Sequence, residues 1–388
     1  MLTISELSYN QEFYNLKDEW NALLVQSGSN NVFLTWEWLY NWWQVYGKEK
    51  KLKIVVLREN DELKAIAPLF QNLFLSLKRL QFIGSYGVGS DYLDFILYPG
   101  REEELLPEIM AYLDSQRKDW DILHITDISE HSKSIEVLKK QKAFHVIRRK
   151  HTTCPYLKLP STWNELNRSF TQNMRYDLNR KQRKFEKENN GKFAAITEKK
   201  QLEEAWNNFI LLNKKRMKEK DIMSPFCDKL FNEFHANVFP ILFDRGMLRL
   251  YSLELEKPIG YIYIIKYVEK YFFYQIGFDP DWNRLSPGML LFRYSIERAI
   301  SEGAKEFDFL QGEEEYKFRW TGEVRNNLQL FILAKSFKNV ITILFLMLFL
   351  KAKDFMRPVK QKIKLIIKNI KRTMKSERSM KPSGYLLR

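Results

Sequence analysis

The sequence has few of the residues that build disulfides, metal sites and covalent catalytic centres. Its 388 residues include two cysteines, Cys154 and Cys227, which form no CxxC motif, and five histidines without metal-ligand spacing. A disulfide framework and a metal site are therefore not expected. The chain also shows no GxSxG elbow and no obvious Cys/His pair. These absences argue against an enzyme that forms a covalent acyl-enzyme.

A secretion signal and a membrane-spanning run are also missing. The first residues, MLTISELSYNQEFY, contain neither a basic n-region nor an apolar h-region. We therefore expect a cytoplasmic protein, with peripheral attachment to the inner face of the cell membrane as an alternative. The apolar run NVITILFLMLFL covers only residues 339–350. Because a spanning helix needs roughly 20 residues, a single crossing is not expected.

Positive charge is abundant, but it is concentrated in the C-terminal tail. The net charge is +15, and residues 335–388 alone contribute +13, from fifteen Lys and Arg residues against two acids. The rest of the chain is nearly neutral, so its folded body is not expected to bind nucleic acid. Residues 351–375 alternate basic and apolar side chains, which predicts a basic amphipathic helix suited to an anionic membrane surface. A disordered or self-packing tail is the alternative.

The stretch from 271 to 320 predicts a strand–helix–strand crossover. Tyr271–Phe278 is aromatic and β-prone, as a buried strand should be. Ser286 and Pro287 resemble an N-cap and a first helical position, and Gly303 is placed to end the helix. Phe307–Leu310 predicts the second strand. A right-handed crossover should join these two strands in parallel, and the helix N-terminus between them suits a phosphate.

The remaining segments predict two halves and a tail. Three antiparallel strands lead into the crossover, and residues 328–334 supply a last strand. The aromatic segment 33–46 predicts a helix whose four tryptophans we expect to be buried rather than exposed as a sugar platform. A glycine-rich loop at 84–89 lacks the dinucleotide-binding spacing and is either a turn or the lining of a cleft. The predicted divisions are 1–155, 156–335 and 336–388.

Together these segments resemble the CelD/BcsL-type acetyltransferase family of the GNAT superfamily. The matching pieces are LRLYSLELEKPIGYIYII, YFFYQIGFDPDWNRLSPGMLL, FDFLQGEEEYKFRW and the basic segment NKKRMKEK. The resemblance extends over most of the chain ahead of the tail. It implies an α+β fold with a mixed sheet and two GNAT-like halves, as in the Fem-type aminoacyl transferases. It also implies an acyl-CoA donor such as acetyl-CoA, and no metal.

The resemblance also suggests catalytic residues. Asp308 is flanked by phenylalanines on the second crossover strand and would be a partly buried base, because burial raises the pKa of a carboxyl group. In the matching YK motif, Tyr316 would be the acid, and Lys317 would hold a phosphate or stabilise developing charge. The alternatives are an Asp308 paired with a nearby Arg or Lys, and a Tyr316 that only packs.

Two further sets of residues are candidates for binding. The donor would lie between the splayed crossover strands and at the helix N-terminus, and its candidate contacts are Gln275, Ile276, Arg284, Ser286, Gly288 and Met289. The acceptor would lie between the halves, and its candidate contacts are Asp91, Tyr92, Arg175 and Trp320. The alternatives are a solvated basic helix for Arg175 and simple packing for Trp320. Because Pro287 lacks an N–H and the donor loop keeps one glycine, a different activated acyl donor stays open.

These observations favour an acyltransferase. It would move an acetyl or similar group from acyl-CoA to an amine or hydroxyl of a sugar, a nucleotide sugar or a polysaccharide precursor, by direct attack in a ternary complex. One alternative is Fem-type aminoacyl transfer from charged tRNA, with the basic tail serving RNA. The other is a non-catalytic GNAT-like scaffold that the tail tethers to a membrane.

The tail can be tested separately from the body. A variant that lacks residues 336–388 should lose association with vesicles that contain anionic lipid, because the deletion removes most of the net positive charge. Vesicle co-sedimentation at low and moderate salt measures the association, and circular dichroism checks that the body stays folded. Unchanged sedimentation of the folded variant would refute the membrane interpretation.

Overall fold

One mixed sheet of thirteen strands forms the centre of residues 1–74 and 76–334, the part of the chain that the computed structural model describes. Residues Met1–Ile332 pack as one unit. The tail predicted over residues 336–388 lies outside the described residues. The strands are β1 Leu2–Leu7, β2 Lys51–Glu59, β3 Glu62–Phe74, β4 Leu77–Phe82, β5 Ile96–Leu97, β6 Ile122–Ser129, β7 Phe144–Lys158, β8 Lys192–Ala195, β9 Leu248–Glu254, β10 Pro258–Tyr267, β11 Lys270–Phe278, β12 Glu306–Asp308 and β13 Val324–Ala334.

The helices of the same ranges connect and cover these strands. They are α1 Asn10–Asn15, α2 Lys17–Gln26, α3 Trp36–Tyr46, α4 Glu102–Ser115, α5 Lys133–Lys140, α6 Trp163–Ser169, α7 Gln172–Glu186, α8 Lys199–Glu219, α9 Lys229–Asp244, α10 Pro287–Ser301 and α11 Glu315–Phe318. None of these described helices combines the length and the apolar character that a membrane crossing requires.

The sheet interleaves strands from the two ends of the chain. Its order is β1-β2-β3-β4-β6-β13-β7-β12-β11-β10-β9-β8, and β5 pairs with β3. Thus β13, the last described strand, pairs with β6, and β7 pairs with β12, where Tyr156 lies opposite Asp308. The predicted boundary at residue 155 falls within β7. The division into two halves stays a prediction, and the strand exchange means that neither half has a complete sheet by itself.

The crossover predicted from the sequence is present. Strand β11 pairs in parallel with β12, and α10 lies between them in sequence, beginning at Pro287 as expected. Strand β12 ends at Asp308 rather than at Leu310. The reason is local, because Leu310 has a positive φ of 55° and turns the chain out of the ladder. The mixed α/β fold class is therefore confirmed.

The aromatic helix α3 is part of the core rather than a sugar platform. Its four tryptophans are all buried, with Trp38 and Trp42 fully enclosed. The Trp38 ring packs edge-on against Phe234 of α9, with ring centres 4.9 Å apart. Its indole N–H donates to the Ser90 hydroxyl over 2.9 Å, which satisfies the buried donor. Helix α3 therefore packs the N-terminal part of the chain against α9.

Helix α8 packs directly on β11 at Gly277. A Cβ atom there would lie 2.5 Å from the backbone nitrogen of Asn213 and 2.8 Å from the carbonyl oxygen of Phe209. The Asn213 side-chain amide donates to the Ile276 carbonyl over 2.8 Å and accepts from the Ser224 hydroxyl over 2.7 Å. The position of α8 over the strand thus depends on the missing side chain at residue 277.

A Gly277→Ala substitution tests this contact. The added methyl group must push α8 away from the strand, and we expect the free energy of unfolding to fall by about 2–3 kcal/mol, as overpacked sites do. Urea denaturation followed by circular dichroism measures the change. Gly322→Ala is the matched control, since no atom lies within 4 Å of a Cβ built there, and it should shift stability by less than about 0.5 kcal/mol. Equal effects of the two variants would contradict the packing argument.

Candidate functional site

The crossover strands separate shortly after they begin to pair. They are in register through three pairs, of which Phe272 opposite Asp308 is the last. On its other side β11 has a bulge, because Tyr274 is an extra residue between the pairs that Phe273 and Gln275 make with β10. A bulge bends a strand and ends regular pairing. The bulge in β11 and the turn after β12 therefore open the sheet at the same level.

A cleft of about 450 Å³ fills this opening. Its walls come from β11, from the segment after β12, from the end of α8 and from the glycine-rich loop at Val88 and Gly89. Its aromatic lining consists of Phe231, Phe273, Tyr274, Phe309 and Tyr316. A pocket with apolar walls and a few polar groups is typical of small-molecule sites. Gln275 and Ile276, predicted to contact the donor, line this cleft, as do Tyr316 and Lys317.

Arg216 is the least expected group in the cleft. Its side chain is 7% exposed, and its Nε atom has no hydrogen-bond partner among the described residues. The guanidinium lies 5.1 Å from the centre of the Phe278 ring. Burial lowers the pKa of Arg216, but a guanidinium stays charged in proteins. Glu314 and Glu219 attract this charge, but neither forms an ion pair with Arg216 among the described residues. A buried charge without an ion-pair partner is costly, so the cleft is suited to an anionic ligand group. The sequence marks this residue only as part of a basic segment.

Tyr316 carries an available proton. Its ring packs against Phe292, with ring centres 5.6 Å apart, and its hydroxyl has no hydrogen-bond partner within the described part of the chain. Burial raises the pKa of the Tyr316 hydroxyl, so it is protonated at neutral pH. Gln275 lines the cleft and accepts a 3.4 Å hydrogen bond from Asn213 through its carbonyl oxygen, and its NH₂ group donates no hydrogen bond within the described part of the chain. Both groups can donate to a ligand.

Asp308 and Lys317 are buried and already engaged. The Asp308 carboxylate accepts from the Tyr92 hydroxyl over 2.8 Å and from the Leu310 N–H over 2.7 Å. Arg325 lies 3.6 Å away, so the expected pairing with an arginine is present. Burial raises the pKa of Asp308, and the charge of Arg325 opposes that shift. The Lys317 ammonium, 2% exposed, donates to backbone carbonyls of the turn after β12.

Two of the predicted acceptor contacts lie beneath the cleft rather than on its surface. Asp91 is fully buried, and it accepts from the Gln311 N–H over 3.0 Å and from the Asn327 side chain over 2.6 Å. Burial raises the pKa of Asp91, the nearby Asp127 raises it further, and the hydrogen bond from Gln311 opposes the shift. Tyr92 is occupied by its bond to Asp308. Asp91 and Tyr92 therefore connect the glycine-rich loop to the end of β12.

The other two predicted acceptor contacts lie elsewhere. The Arg175 guanidinium donates to the carbonyls of Arg168 and Phe170, over 3.0 and 2.9 Å, and so holds the chain between α6 and α7. Trp320 is 4% exposed and packs against Phe292 in the core. The structure does not bring these two residues to the lining of the cleft, and their binding roles stay predictions.

The start of α10 differs from the expected phosphate cradle. Ser286 is the N-cap residue, but its φ is +56° and its side chain makes no capping hydrogen bond. Its carbonyl accepts from the N–H groups of Met289 and Leu290. Arg284 stacks on Trp282, 5.1 Å from its ring centre. Pro287 has no N–H, so the Gly288 N–H is the donor left for an anion in this turn. Donor binding by Arg284, Ser286, Gly288 and Met289 stays a prediction.

A buried histidine supports the bulge at Tyr274. His235 of α9 is fully buried, and its Nε2 atom lies 2.9 Å from the Tyr274 hydroxyl. That hydroxyl donates to the Val88 carbonyl, so Nε2 carries the proton of a neutral imidazole. Burial lowers the pKa of His235 to about 3. Within residues 1–74 and 76–334, no group of His, Cys, Asp and Glu side chains could hold a metal ion.

Comparisons with known proteins agree with this architecture. Residues 172–318 match the family model of the acetyltransferase (GNAT) domain, and no curated protein matches the chain in sequence. The chain therefore carries a GNAT-type acyltransferase domain, as predicted, while the match does not distinguish the CelD/BcsL family within this superfamily.

Three solved structures show the same fold over most of the chain. FemX shares 10% identity and a TM-score of 0.61, over 86% of this chain and 97% of its own. A conserved protein of unknown function from Bacteroides thetaiotaomicron has 10% identity and a TM-score of 0.55, over 86% and 100%. L-PGS from Bacillus licheniformis has 12% identity and a TM-score of 0.51, over 84% and 95%. At such identities these likenesses concern the fold alone.

The buried histidine predicts a pH dependence of stability. As the pH falls below 6.5, His235 takes up a proton in the unfolded chain but stays neutral in the folded protein until about pH 3, so stability is lost. Between pH 6.5 and pH 5 this loss is about 2 kcal/mol. Urea denaturation at both pH values should show that His235→Gln removes about this much of the pH dependence. His131→Gln, at an exposed position, should leave it unchanged. An unchanged dependence in His235→Gln would contradict the assignment.

Proposed function

We propose that the protein transfers an acyl group, such as acetyl from acetyl-CoA, to an amine or hydroxyl of a sugar, a nucleotide sugar or a polysaccharide precursor. The observation that carries this proposal is the cleft between β11 and β12. GNAT folds place the thioester arm of the donor between these splayed strands. In this protein Gln275 and Ile276 form one wall of that opening, and the segment after Asp308 forms the other.

The cleft contains the groups that direct transfer needs. Tyr316 is protonated and can donate to the leaving thiolate as the acceptor attacks the thioester carbonyl. Glu314 lines the cleft, and its side chain is 55% exposed. Its carboxylate is therefore accessible and can accept the proton from the attacking amine or hydroxyl. No covalent acyl-enzyme is needed, which agrees with the lack of Cys, Ser and Thr side chains among the described residues that line the cleft.

The buried charge of Arg216 favours an acceptor that carries an anionic group. Its charge is desolvated at the cleft without an ion-pair partner in the described residues. A phosphate or carboxylate on the ligand would supply the missing counter-charge, and hydrogen bonds to charged groups contribute about 1.5–3 kcal/mol. We therefore favour an acceptor with a phosphate, such as a nucleotide sugar, over a neutral sugar. The aromatic walls suit the faces of a sugar or a base.

A Fem-type aminoacyl transfer is the second candidate. The first observation that favours it is the fold likeness to FemX and to L-PGS. The second is that the start of α10 offers a single N–H donor, which provides few hydrogen bonds for the diphosphate of CoA. In that case the donor would be charged tRNA. A scaffold without catalysis is the third candidate. A peripheral position at the membrane, through the tail at residues 336–388, is part of the proposal for the acyltransferase and for the scaffold. In the Fem-type candidate the basic tail would serve RNA instead.

Calorimetry separates these candidates and tests Arg216. We expect wild-type protein to bind acetyl-CoA, and Arg216→Met to weaken binding of UDP-N-acetylglucosamine, used as an anionic sugar probe, at least tenfold while acetyl-CoA binding persists. Lys218→Met, which removes the same charge from an exposed position on the same helix, should bind both ligands as the wild type does.

The opposite outcomes identify the alternatives. If acetyl-CoA and longer acyl-CoAs all fail to bind, the acyl-CoA proposal is refuted. Retention of labelled aminoacyl-tRNA at moderate salt would then support the Fem-type candidate, and failure of both donors would support the scaffold. If Arg216→Met binds the nucleotide sugar normally, the phosphate assignment is wrong.

A further inference from the structure

We propose that the turn at Leu310 and Gln311 is a pre-formed wall of the cleft, fixed from behind by Lys317, Asp308 and Asp91, and that the Gln311 carboxamide is the group it presents to the ligand. Lys317 would then be a positioning residue rather than a residue that touches the substrate. The identity of the ligand rests on the proposed function, whereas the fixing of the turn does not.

The donors of the turn are all used inside the protein. Leu310 N–H donates to the Asp308 carboxylate over 2.7 Å, and Gln311 N–H donates to the Asp91 carboxylate over 3.0 Å. The flanking N–H groups of Phe309 and Gly312 donate to backbone carbonyls of β7, each over 2.9 Å. Four successive backbone donors thus point away from the cleft. The turn therefore supplies no backbone oxyanion hole.

The acceptors of the turn are held by one ammonium group. Lys317 Nζ donates to the Gln311 carbonyl over 2.6 Å and to the Leu310 carbonyl over 3.2 Å. Its third hydrogen faces Glu314, whose carboxylate oxygen lies 3.0 Å away. An ammonium has three donors, so the capacity of Lys317 is filled. Gly312 makes room for this arrangement, because a Cβ there would lie 2.9 Å from Lys317 Nζ.

Because the backbone N–H groups at 309–312 and the carbonyls of Leu310 and Gln311 are already hydrogen-bonded within the protein, the Gln311 side chain is the polar group of this turn that is free to bind a ligand. It lines the cleft, and its amide has no hydrogen-bond partner among the described residues. Gly89 lies beside it, since a Cβ at that position would be 3.6 Å from the Gln311 amide nitrogen. A carboxamide offers two donors and an acceptor, which suits a thioester carbonyl or a sugar hydroxyl. The positive φ of Leu310 shows that the turn is held away from ordinary backbone geometry, as functional turns often are.

Hydrogen exchange tests the fixing of the turn without any ligand. In Lys317→Met the carbonyls of Leu310 and Gln311 lose their donor, and the amides of residues 309–312 should exchange at least tenfold faster than in the wild type. Mass spectrometry of peptides that span this turn measures the rates. Lys214→Met, an exposed position without an ion pair in the described structure, is the control and should not change them. Unchanged exchange in a folded Lys317→Met protein would overturn the proposal.

A second measurement uses the wild type, in case Lys317→Met does not fold. A small amine-labelling reagent should leave Lys317 unmodified in ligand-free protein while it labels Lys214. Labelling of Lys317 that acetyl-CoA then prevents would mean that this lysine contacts the ligand, which would contradict a positioning role.

The role of Gln311 has its own test. Gln311→Leu should keep the slow exchange of the turn but weaken acetyl-CoA binding, or the nucleotide-sugar binding described above, about tenfold. Normal binding of both ligands by this variant would overturn the assignment of Gln311. If wild-type protein binds neither ligand, the proposed function fails, and the exchange rates of Lys317→Met still decide whether the turn is fixed as we propose.

Discussion

The structure around the site depends on how two buried carboxylates meet one short segment of backbone. Asp91 lies just after the glycine-rich loop, and Asp308 lies at the end of β12. Asp308 accepts the N–H of Leu310, and Asp91 accepts the N–H of the next residue, Gln311. Buried carboxylates are tolerated only where such donors and nearby cations compensate for lost hydration. Arg325 and Lys317 supply the positive charge on this side of the cleft. The same contacts therefore set the backbone shape of the turn and compensate for the burial of its charged neighbours.

The same arrangement explains why the cleft opens where it does. Strand β12 is only three residues long, because its chain leaves the ladder as soon as Asp308 has paired with Phe272. On the opposite strand, the bulge at Tyr274 bends β11 at this level, and His235 holds that tyrosine from behind. Helix α8 then closes the third side, because it lies against the bare backbone of Gly277. Its last turns thereby bring Arg216 to the cleft without an ion-pair partner in the described chain.

The interleaved sheet gives this site parts from distant regions of sequence. Strand β7 passes beside β12, and its carbonyls accept from the turn at Phe309 and Gly312. Strand β13 returns to pair with β6 and carries Asn327 to Asp91. A GNAT-type domain that matches only over residues 172–318 is thus completed by residues on both sides of it. One wall of the cleft is therefore built partly from the glycine-rich loop, at Val88 and Gly89, where the N-terminal segments meet β11.

Local patterns predicted much of the fold. The aromatic run of β11, the start of α10 at Pro287 and the buried tryptophans of α3 were all readable, because alternation, helix-start residues and burial tendencies act over a few neighbouring residues. The sequence also placed Gln275, Ile276 and Tyr316 near the cleft, because Gln275 and Ile276 lie in β11 and Tyr316 lies in α11, the short helix that follows β12.

Other features are set by contacts between distant residues. The hydrogen bonds of Lys317 depend on where two backbone carbonyls lie. The Nε atom of Arg216 lacks a hydrogen-bond partner because no acceptor of the described structure comes close enough to it. Ser286 is likewise expected from the sequence to cap α10 with its side chain, but it adopts the αL conformation and makes no such hydrogen bond. The sequence by itself therefore determined the crossover and the class of domain. Only the tertiary structure decided which charged residues are paired within the protein and which line the cleft without an ion-pair partner in the described chain. The reason is that the partner of a buried charge is set by proximity in space and not by distance along the sequence.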